Sequence, residues 1–208
     1  KQKRPATKIL LNWYMASETI RKRNQVLNQV LVRLMTELEK NQISALVVKG
    51  QICGAEYGEA KLFRSSGDID VLINLDDWKK LLEWVHIHQL DYSSHAAEKH
   101  IEIDYFGVTV EFHHHLMALS STNASKYWDE IEGGFWTHTR NVVIDEYPVR
   151  TLDITDTAAY LLLHIHHHLL TEGIGLRQIC DFALFLKNHS SKIDRIKLNE
   201  RILRVGHR

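Results

Sequence analysis

Two aspartates separated by a single residue, Asp68 and Asp70, have the types and spacing best suited to chemistry. They lie in the segment Gly67-Asp68-Ile69-Asp70-Val71-Leu72-Ile73, which has the pattern of a short β-strand. Residues two apart on a strand project from the same face, so the two carboxylates are expected side by side. Two like charges that close are unfavourable unless a cation lies between them, and hard oxygen ligands suit Mg²⁺ or Mn²⁺.

A third carboxylate on a neighbouring strand would complete a two-metal site, in which one ion activates the attacking hydroxyl and the other stabilises the triphosphate. Residues 108–113 alternate strictly between apolar and polar types, which places Glu111 on the outward face of its strand. Glu102 and Asp104 share a face of the preceding alternating segment, residues 100–106, and are rival third ligands.

The polar loop before Asp68 contains residues that can contact phosphate. Arg64 can offset the charge of a triphosphate, or it can be tied to a neighbouring carboxylate as an ordinary loop residue. Ser65 and Ser66 can hydrogen-bond phosphate, although serine is common in loops. Further along the chain, Arg177 can bind nucleotide or acceptor, or pair with Asp181 four residues later on the same helix.

Histidine is abundant, with 14 residues, and forms two clusters at positions 113–115 and 164–168. On a helix His164 and His168 share one face, a spacing seen in zinc sites, so a zinc hydrolase is an alternative interpretation. The cluster lacks the glutamate of H-E-x-x-H. The other interpretation is that these histidines line a cleft or bond between helices, with His113 tuning a metal or acceptor beside Glu111.

The order of predicted elements indicates an α+β protein, with a mixed β-sheet that has helices on one face and is flanked by N- and C-terminal helices. Residues 1–43 are predicted to be a helical segment, 44–150 the sheet domain and 151–208 a helical region. Within the sheet domain, residues 100–113 are expected to form a hairpin and residues 142–150 one further strand. The missing initiator Met and the abrupt C-terminus suggest that a longer natural chain was trimmed.

The composition is that of an ordinary globular protein, with 208 residues, 44% hydrophobic, 25% charged and a formal net charge of zero. Without a basic excess, no extended surface for duplex nucleic acid or an anionic membrane is expected. No stretch approaches the roughly 20 apolar residues that span a bilayer. Two cysteines do not make a disulfide framework, so we expect a cytoplasmic protein.

Taken together, these motifs resemble a known family. The order of strand, small turn, helix, Asp-x-Asp strand and later acid looks like the DNA polymerase β-type nucleotidyltransferase superfamily. The chain is more closely similar to the uncharacterised nucleotidyltransferase family of bacteria. That similarity is carried by Val48-Lys49-Gly50, Arg64-Ser65-Ser66-Gly67-Asp68-Ile69-Asp70, Val110-Glu111-Phe112-His113 and the segment from Glu172 to Asp181.

This resemblance implies the nucleotidyltransferase fold, bound Mg²⁺ or Mn²⁺, and transfer of a nucleoside monophosphate from a nucleoside triphosphate such as ATP to an unknown acceptor hydroxyl. It favours Glu111 as the third acid, so the implied catalytic and metal-binding residues are Asp68, Asp70 and Glu111. The implied nucleotide-binding residues are Lys49, Gly50, Arg64, Ser65, Ser66, Gly67 and Arg177.

One position departs from the superfamily pattern. The first turn usually holds Gly-Gly or Gly-Ser, and here it holds Lys49-Gly50. A lysine can supply a point charge to the phosphates. It is also compatible with an inert module that binds a nucleotide or a partner without turnover, which is the second interpretation of the chain.

Overall fold

The structure is a computed structural model that describes residues 5–95, 100–117, 122–171 and 173–206. Glu172, the first residue of one family-like segment, therefore lies outside the described residues. The helices are α1 (Thr7–Lys40), α2 (Gly50–Ala55), α3 (Trp78–Ile87), α4 (Thr122–Gly134), α5 (Ile154–Thr171), α6 (Leu176–His189) and α7 (Arg195–Gly206). The strands are β1 (Ala45–Val48), β2 (Asp68–Ile73), β3 (Tyr92–His95), β4 (His100–Asp104), β5 (Thr109–His113), β6 (Thr139–Ile144) and β7 (Tyr147–Leu152).

Five of these strands form one mixed sheet in the order β1-β2-β5-β4-β3. The central pair, β2 and β5, is parallel, and every other pair in this sheet is antiparallel. Because parallel strands need a crossover connection, α3, β3 and β4 lie between β2 and β5 in the chain. The strands β6 and β7 form a separate two-stranded sheet.

Each face of the sheet is covered by different helices. On β2, Ile69 and Val71 point to one face and pack in a core with the buried side of α1 and with α3. Leu72 points to the other face, where it packs with Trp128 of α4 and Tyr160 of α5. Alternation along the strand therefore places the aspartates on the face that the C-terminal helices cover.

The predicted mixed sheet with flanking N- and C-terminal helices is confirmed, but helices cover both faces of the sheet and not one face as predicted. The strand Asp68–Ile73 has the predicted bounds, and the predicted hairpin is present as β4 and β5. Its turn is Phe106-Gly107, where both residues have positive φ, and the backbone groups of Tyr105 and Val108 bond to each other across it. Phe106 and Gly107 therefore make the tight two-residue connection that strand twist favours.

The prediction of one strand over residues 142–150 is wrong. The chain reverses at Asp145-Glu146, and the two sides pair as β6 and β7. Both turn residues have positive φ, 45° and 67°, a conformation usually signalled by Asn or Gly. The sequence carries neither residue at this turn, so the hairpin resembles one continuous strand.

No helix in the described part of the chain is long and apolar enough to cross a membrane. Both cysteines are free thiols. Cys53 is buried on α2, and Cys180 is exposed on α6.

Candidate active site

The parallel pairing of β2 and β5 brings two of the predicted acids together. Asp70 lies directly opposite Glu111 in the register, although the two residues are 41 positions apart in the chain. His113 follows two residues later on the same face, and its Nε2 lies 3.3 Å from Asp70 Oδ1 and 3.3 Å from Glu111 Oε2. One ligand atom from each of the three side chains lies within 4.8 Å of the others, a spacing that could hold a metal ion.

Asp68 projects from the same face of β2 as Asp70 and lines the same cavity. It is paired in register with Thr109 and is not a member of the close cluster formed by Asp70, Glu111 and His113. Burial raises the pKa of Asp68, and the neighbouring charges of Asp70 and Glu111 raise it further. A bound cation would oppose all of these effects because it favours the ionised carboxyl.

Asp70 is almost fully buried and is balanced by a cation. The Lys49 ammonium lies 2.7 Å from Asp70 Oδ1. Burial alone would raise the pKa of Asp70, but the charge of Lys49 and the hydrogen bond from His113 hold it well below its ordinary value. The side chain is therefore ionised at neutral pH, as a metal ligand must be.

The turn that carries Lys49 has an unusual backbone. Lys49 has φ 53° and ψ −134°, a conformation that normally belongs to glycine at the first central position of a type II′ turn. Gly50 follows with φ 24°, and a Cβ there would meet the backbone oxygen of Asp68 at 3.6 Å. The turn therefore packs directly against the start of β2.

Helix α5 presents one polar face to this turn. Tyr160, His164 and His168 are spaced by four residues, and all three line the cavity. His164 Nε2 lies 3.4 Å from the Lys49 ammonium and 3.1 Å from His168 Nε2. Burial lowers the pKa of His164 to about 3, and the nearby Lys49 charge adds to the effect. His164 is thus a neutral acceptor for the ammonium.

This arrangement bears on the zinc interpretation. Within the described ranges, two groups of side chains have the spacing to hold a metal ion, and neither includes His164 or His168. A cationic ammonium beside His164 also disfavours a zinc ion there. His164 and His168 instead line the cavity, which agrees with the other interpretation of this cluster, and His164 also contacts Lys49 in the β1–α2 turn.

A cavity of about 650 Å³ opens between the sheet and helices α5 and α6. Its lining includes most of the predicted site residues, namely Lys49, Gly50, Arg64, Ser66, Gly67, Asp68, Asp70, Glu111 and Arg177. Ser65 is exposed and is not among the lining residues. Its backbone oxygen accepts a hydrogen bond from Arg177 Nη1 at 3.0 Å, so it helps to position that arginine.

Arg64 is held by a carboxylate, as one of its two interpretations predicted. Its Nε and Nη2 bond to the two oxygens of Asp181 at 3.1 and 2.6 Å, and its Nη1 donates to Ser66 Oγ at 2.5 Å. Tyr57 also donates to Asp181. For Arg177, the alternative in which it pairs with Asp181 is wrong, because Asp181 turns towards Arg64 and Tyr57 instead.

The rival acids take different places. Glu102 lies opposite Glu111 in the antiparallel register and lines the cavity. Asp104 is exposed at the end of β4, where its carboxylate accepts a hydrogen bond from Gly107 N at 2.8 Å. Glu111 is one strand closer to Asp70 than Glu102 is, which agrees with its selection as the third acid.

Several residues that shape the site were not identified from the sequence. Tyr160 interacts electrostatically with Lys49, and its spacing from His164 on one helix face was an available signal. Arg23 donates to Gly67 O, and Asn24 donates to Arg64 O, so α1 fixes the loop before β2. No local pattern marks these two contacts, because each joins segments about 40 residues apart.

The fold is that of known nucleotidyltransferases. The chain is similar to the antibiotic-resistance factor ANT(2″)-Ia in its solution structure, with TM-score 0.59 and 10% identity over 86% of this chain and 94% of that one. The crystal structure of ANT(2″)-Ia with adenylyl-2″-tobramycin gives TM-score 0.58 and 10% identity over 85% and 99%. An antigenic nucleotidyltransferase-like protein from Paracoccidioides brasiliensis gives TM-score 0.54 and 12% identity over 85% and 87%.

The sequence identifies the particular family within this class of proteins. Residues 1–208 match the family model described as uncharacterised nucleotidyltransferase, and the chain belongs to that family. No curated protein matches it significantly. The predicted enzyme class, nucleotidyltransferase, is thereby confirmed, and the acceptor is not identified by any of these similarities.

Proposed function

We propose that the chain transfers a nucleoside monophosphate from a nucleoside triphosphate, such as ATP, to the hydroxyl of an acceptor and releases pyrophosphate. The observation that carries the proposal is the pairing of Asp70 with Glu111 across two parallel strands at the wall of a large cavity. Asp68 and Arg177 line the same cavity. The three acids and the cationic side chain are what a triphosphate with its divalent cation requires.

The donor set fits Mg²⁺ or Mn²⁺. Asp70 and Glu111 offer carboxylate oxygens, with Asp68 on the same sheet face, and hard oxygen ligands are the ones that both cations prefer. When bound, the cation supplies positive charge to the triphosphate and lowers the pKa of the acceptor hydroxyl.

In the proposed reaction the acceptor oxygen attacks the α-phosphorus, and the bond from that phosphorus to the bridging oxygen of pyrophosphate breaks. The acceptor proton passes to Glu111. The hydrogen bond from His113 lowers the pKa of Glu111, so this carboxylate is ionised and can accept the proton. Arg177, fixed to the Ser65 backbone, would bind the leaving phosphates.

The test is pyrophosphate release from ATP, GTP, CTP and UTP with Mg²⁺ or Mn²⁺ in the presence of cell extract as a source of acceptor. Asp70→Asn should reduce the rate by about a thousandfold, equal to about 4 kcal/mol of transition-state stabilisation. The matched control is Asp104→Asn, on the same sheet face but at the turn, where the amide oxygen can still accept from Gly107.

Equal rates for wild type and Asp70→Asn would contradict the proposal. If calorimetry showed that wild type binds a triphosphate but never releases pyrophosphate, the second interpretation, an inert binding module, would replace it. The presence of Lys49-Gly50 where the superfamily has Gly-Gly or Gly-Ser is the feature that favours that second interpretation.

A further inference from the structure

The Lys49 ammonium is fixed in place rather than free to follow a ligand. It contacts the Asp70 carboxylate at 2.7 Å and His164 Nε2 at 3.4 Å, and the Tyr160 hydroxyl also interacts with it. An ammonium has three donors, and these three groups can accept all of them. The positive charge of Lys49 therefore stabilises the carboxylate cluster and is not available to bind a phosphate in the cavity.

This contact occupies one oxygen of Asp70. In a two-metal site the shared carboxylate lies between ions about 3.5–4 Å apart and gives one oxygen to each. Here the ion pair with Lys49 and the contact with His113 both involve Oδ1. Oδ2 is the oxygen that remains for a divalent cation, and it can serve one ion.

The backbone at Lys49 indicates that the side chain has a role. A non-glycine residue in this glycine-type conformation is strained, and glycine would avoid the strain. Glycine would also leave the Asp70 carboxylate buried without its cation, which is strongly unfavourable. The strain is therefore consistent with a need for a permanent positive charge at this point.

We infer that the Lys49 ammonium replaces one of the two cations of such a site, so that the enzyme uses a single divalent ion. Asp68, Asp70 and Glu111 carry three negative charges when ionised, which one ammonium and one divalent cation balance. This inference rests on the proposed function and specifies its metal requirement.

The test counts bound Mn²⁺ by electron paramagnetic resonance, with saturating α,β-methylene analogues of ATP, GTP, CTP and UTP. Wild type should bind one Mn²⁺ per chain in the ternary complex. Lys49→Gly, which fits the backbone and removes the charge, should bind two. Lys49→Arg keeps the positive charge and should bind one.

Two Mn²⁺ in wild type, or one in Lys49→Gly, would overturn the inference. Pyrophosphate release is measured on the same preparations, so two Mn²⁺ together with turnover would leave the proposed function standing. No bound Mn²⁺ with any analogue, together with no turnover, would overturn both.

Discussion

At the scale of single residues, the site is a group of buried charges that compensate one another. Asp70 is ionised because Lys49 and His113 face it, and Glu111 is ionised because His113 bonds to it. Burial alone would lower the pKa of His113, but its two carboxylate partners raise it. The cluster is thus organised before any substrate binds, which is how an enzyme avoids reorganisation during the reaction.

The two glutamates of the β4–β5 hairpin should differ in their effect on turnover. Glu111→Gln should reduce pyrophosphate release by about a thousandfold, because Glu111 is adjacent to Asp70 and accepts the acceptor proton. Glu102→Gln should change it less than about tenfold, because Glu102 lies one strand further away. Steady-state rates of pyrophosphate release by the two variants test this prediction. A larger loss in Glu102→Gln than in Glu111→Gln would indicate that Glu102 is the third acid.

His164 should make the stability of the protein depend on pH. Its pKa is lowered to about 3, while a histidine in the unfolded chain titrates near pH ~6.5. Between these values the unfolded chain binds a proton that the folded chain does not, so the free energy of unfolding falls as the pH decreases. Above about pH 6.5 this effect is absent.

The matched variant is His164→Gln, which keeps an acceptor for Lys49 and does not titrate. Between pH 6.5 and 4.5, wild type should lose up to about 1.4 kcal/mol per pH unit relative to this variant, less where solvent screens the charge. Urea denaturation at a series of pH values measures the free energy of unfolding of both proteins. Parallel curves for the two proteins would show that His164 takes up its proton at the same pH in the folded and unfolded states, which would contradict the lowered pKa.

At the scale of elements, helix α6 is joined to the loop before β2 by a buried ion pair. The side chains of Arg64 and Asp181 are 8% and 5% exposed. Asp181→Ala should lower the free energy of unfolding by about 3–5 kcal/mol, because it leaves the Arg64 charge buried and unpaired.

The control is Glu200→Ala, which removes the partner of Arg204 in an exposed pair on α7. That change should stay within about 0.5 kcal/mol of wild type. Urea denaturation compares the two variants, and equal losses would mean that Arg64 reaches solvent or another partner when Asp181 is removed.

The β6–β7 hairpin is another element whose strain can be measured. Glu146 has φ 67°, and a left-handed conformation costs a non-glycine residue about 1–2 kcal/mol. Glu146→Gly should raise the free energy of unfolding by about 0.5–1 kcal/mol after the extra entropy of glycine in the unfolded chain is subtracted.

Arg150→Gly places glycine at an exposed position inside β7, where the backbone is not strained. This change should lower the free energy of unfolding by about 0.5–1 kcal/mol. Thermal and chemical denaturation of the two variants give the comparison. A loss of stability in Glu146→Gly would show that the side chain makes a contact worth more than the strain.

At the scale of the whole molecule, local patterns predicted the parts of the site that depend on strand periodicity. The alternation in β2 and β5 was enough to place Asp68, Asp70 and Glu111 on one face of their strands. The parallel pairing that makes Asp70 and Glu111 neighbours lies between distant segments, and no local pattern specifies it. The resemblance to the family supplied that step.

Contacts between residues that are far apart in the chain could not be predicted from the sequence. The Arg64–Asp181 pair joins residues 117 positions apart, and Lys49 meets His164 across 115 positions. Both depend on how the C-terminal helices pack on the sheet, which is set by the sum of many apolar contacts rather than by any motif. The strand β3 was not predicted either, because its sequence, Tyr-Ser-Ser-His, has neither the apolar run nor the alternation of apolar and polar residues that indicates a strand.

The central claim is that Asp70 and Glu111, with Asp68 beside them, hold the divalent cation of a bound nucleoside triphosphate. Anomalous diffraction from crystals soaked with Mn²⁺ and an α,β-methylene nucleotide tests it most directly. We predict a Mn²⁺ peak within about 2.0–2.6 Å of carboxylate oxygens of Asp70 and Glu111. A peak on His164 and His168 instead, or nucleotide density outside the cavity, would contradict the account.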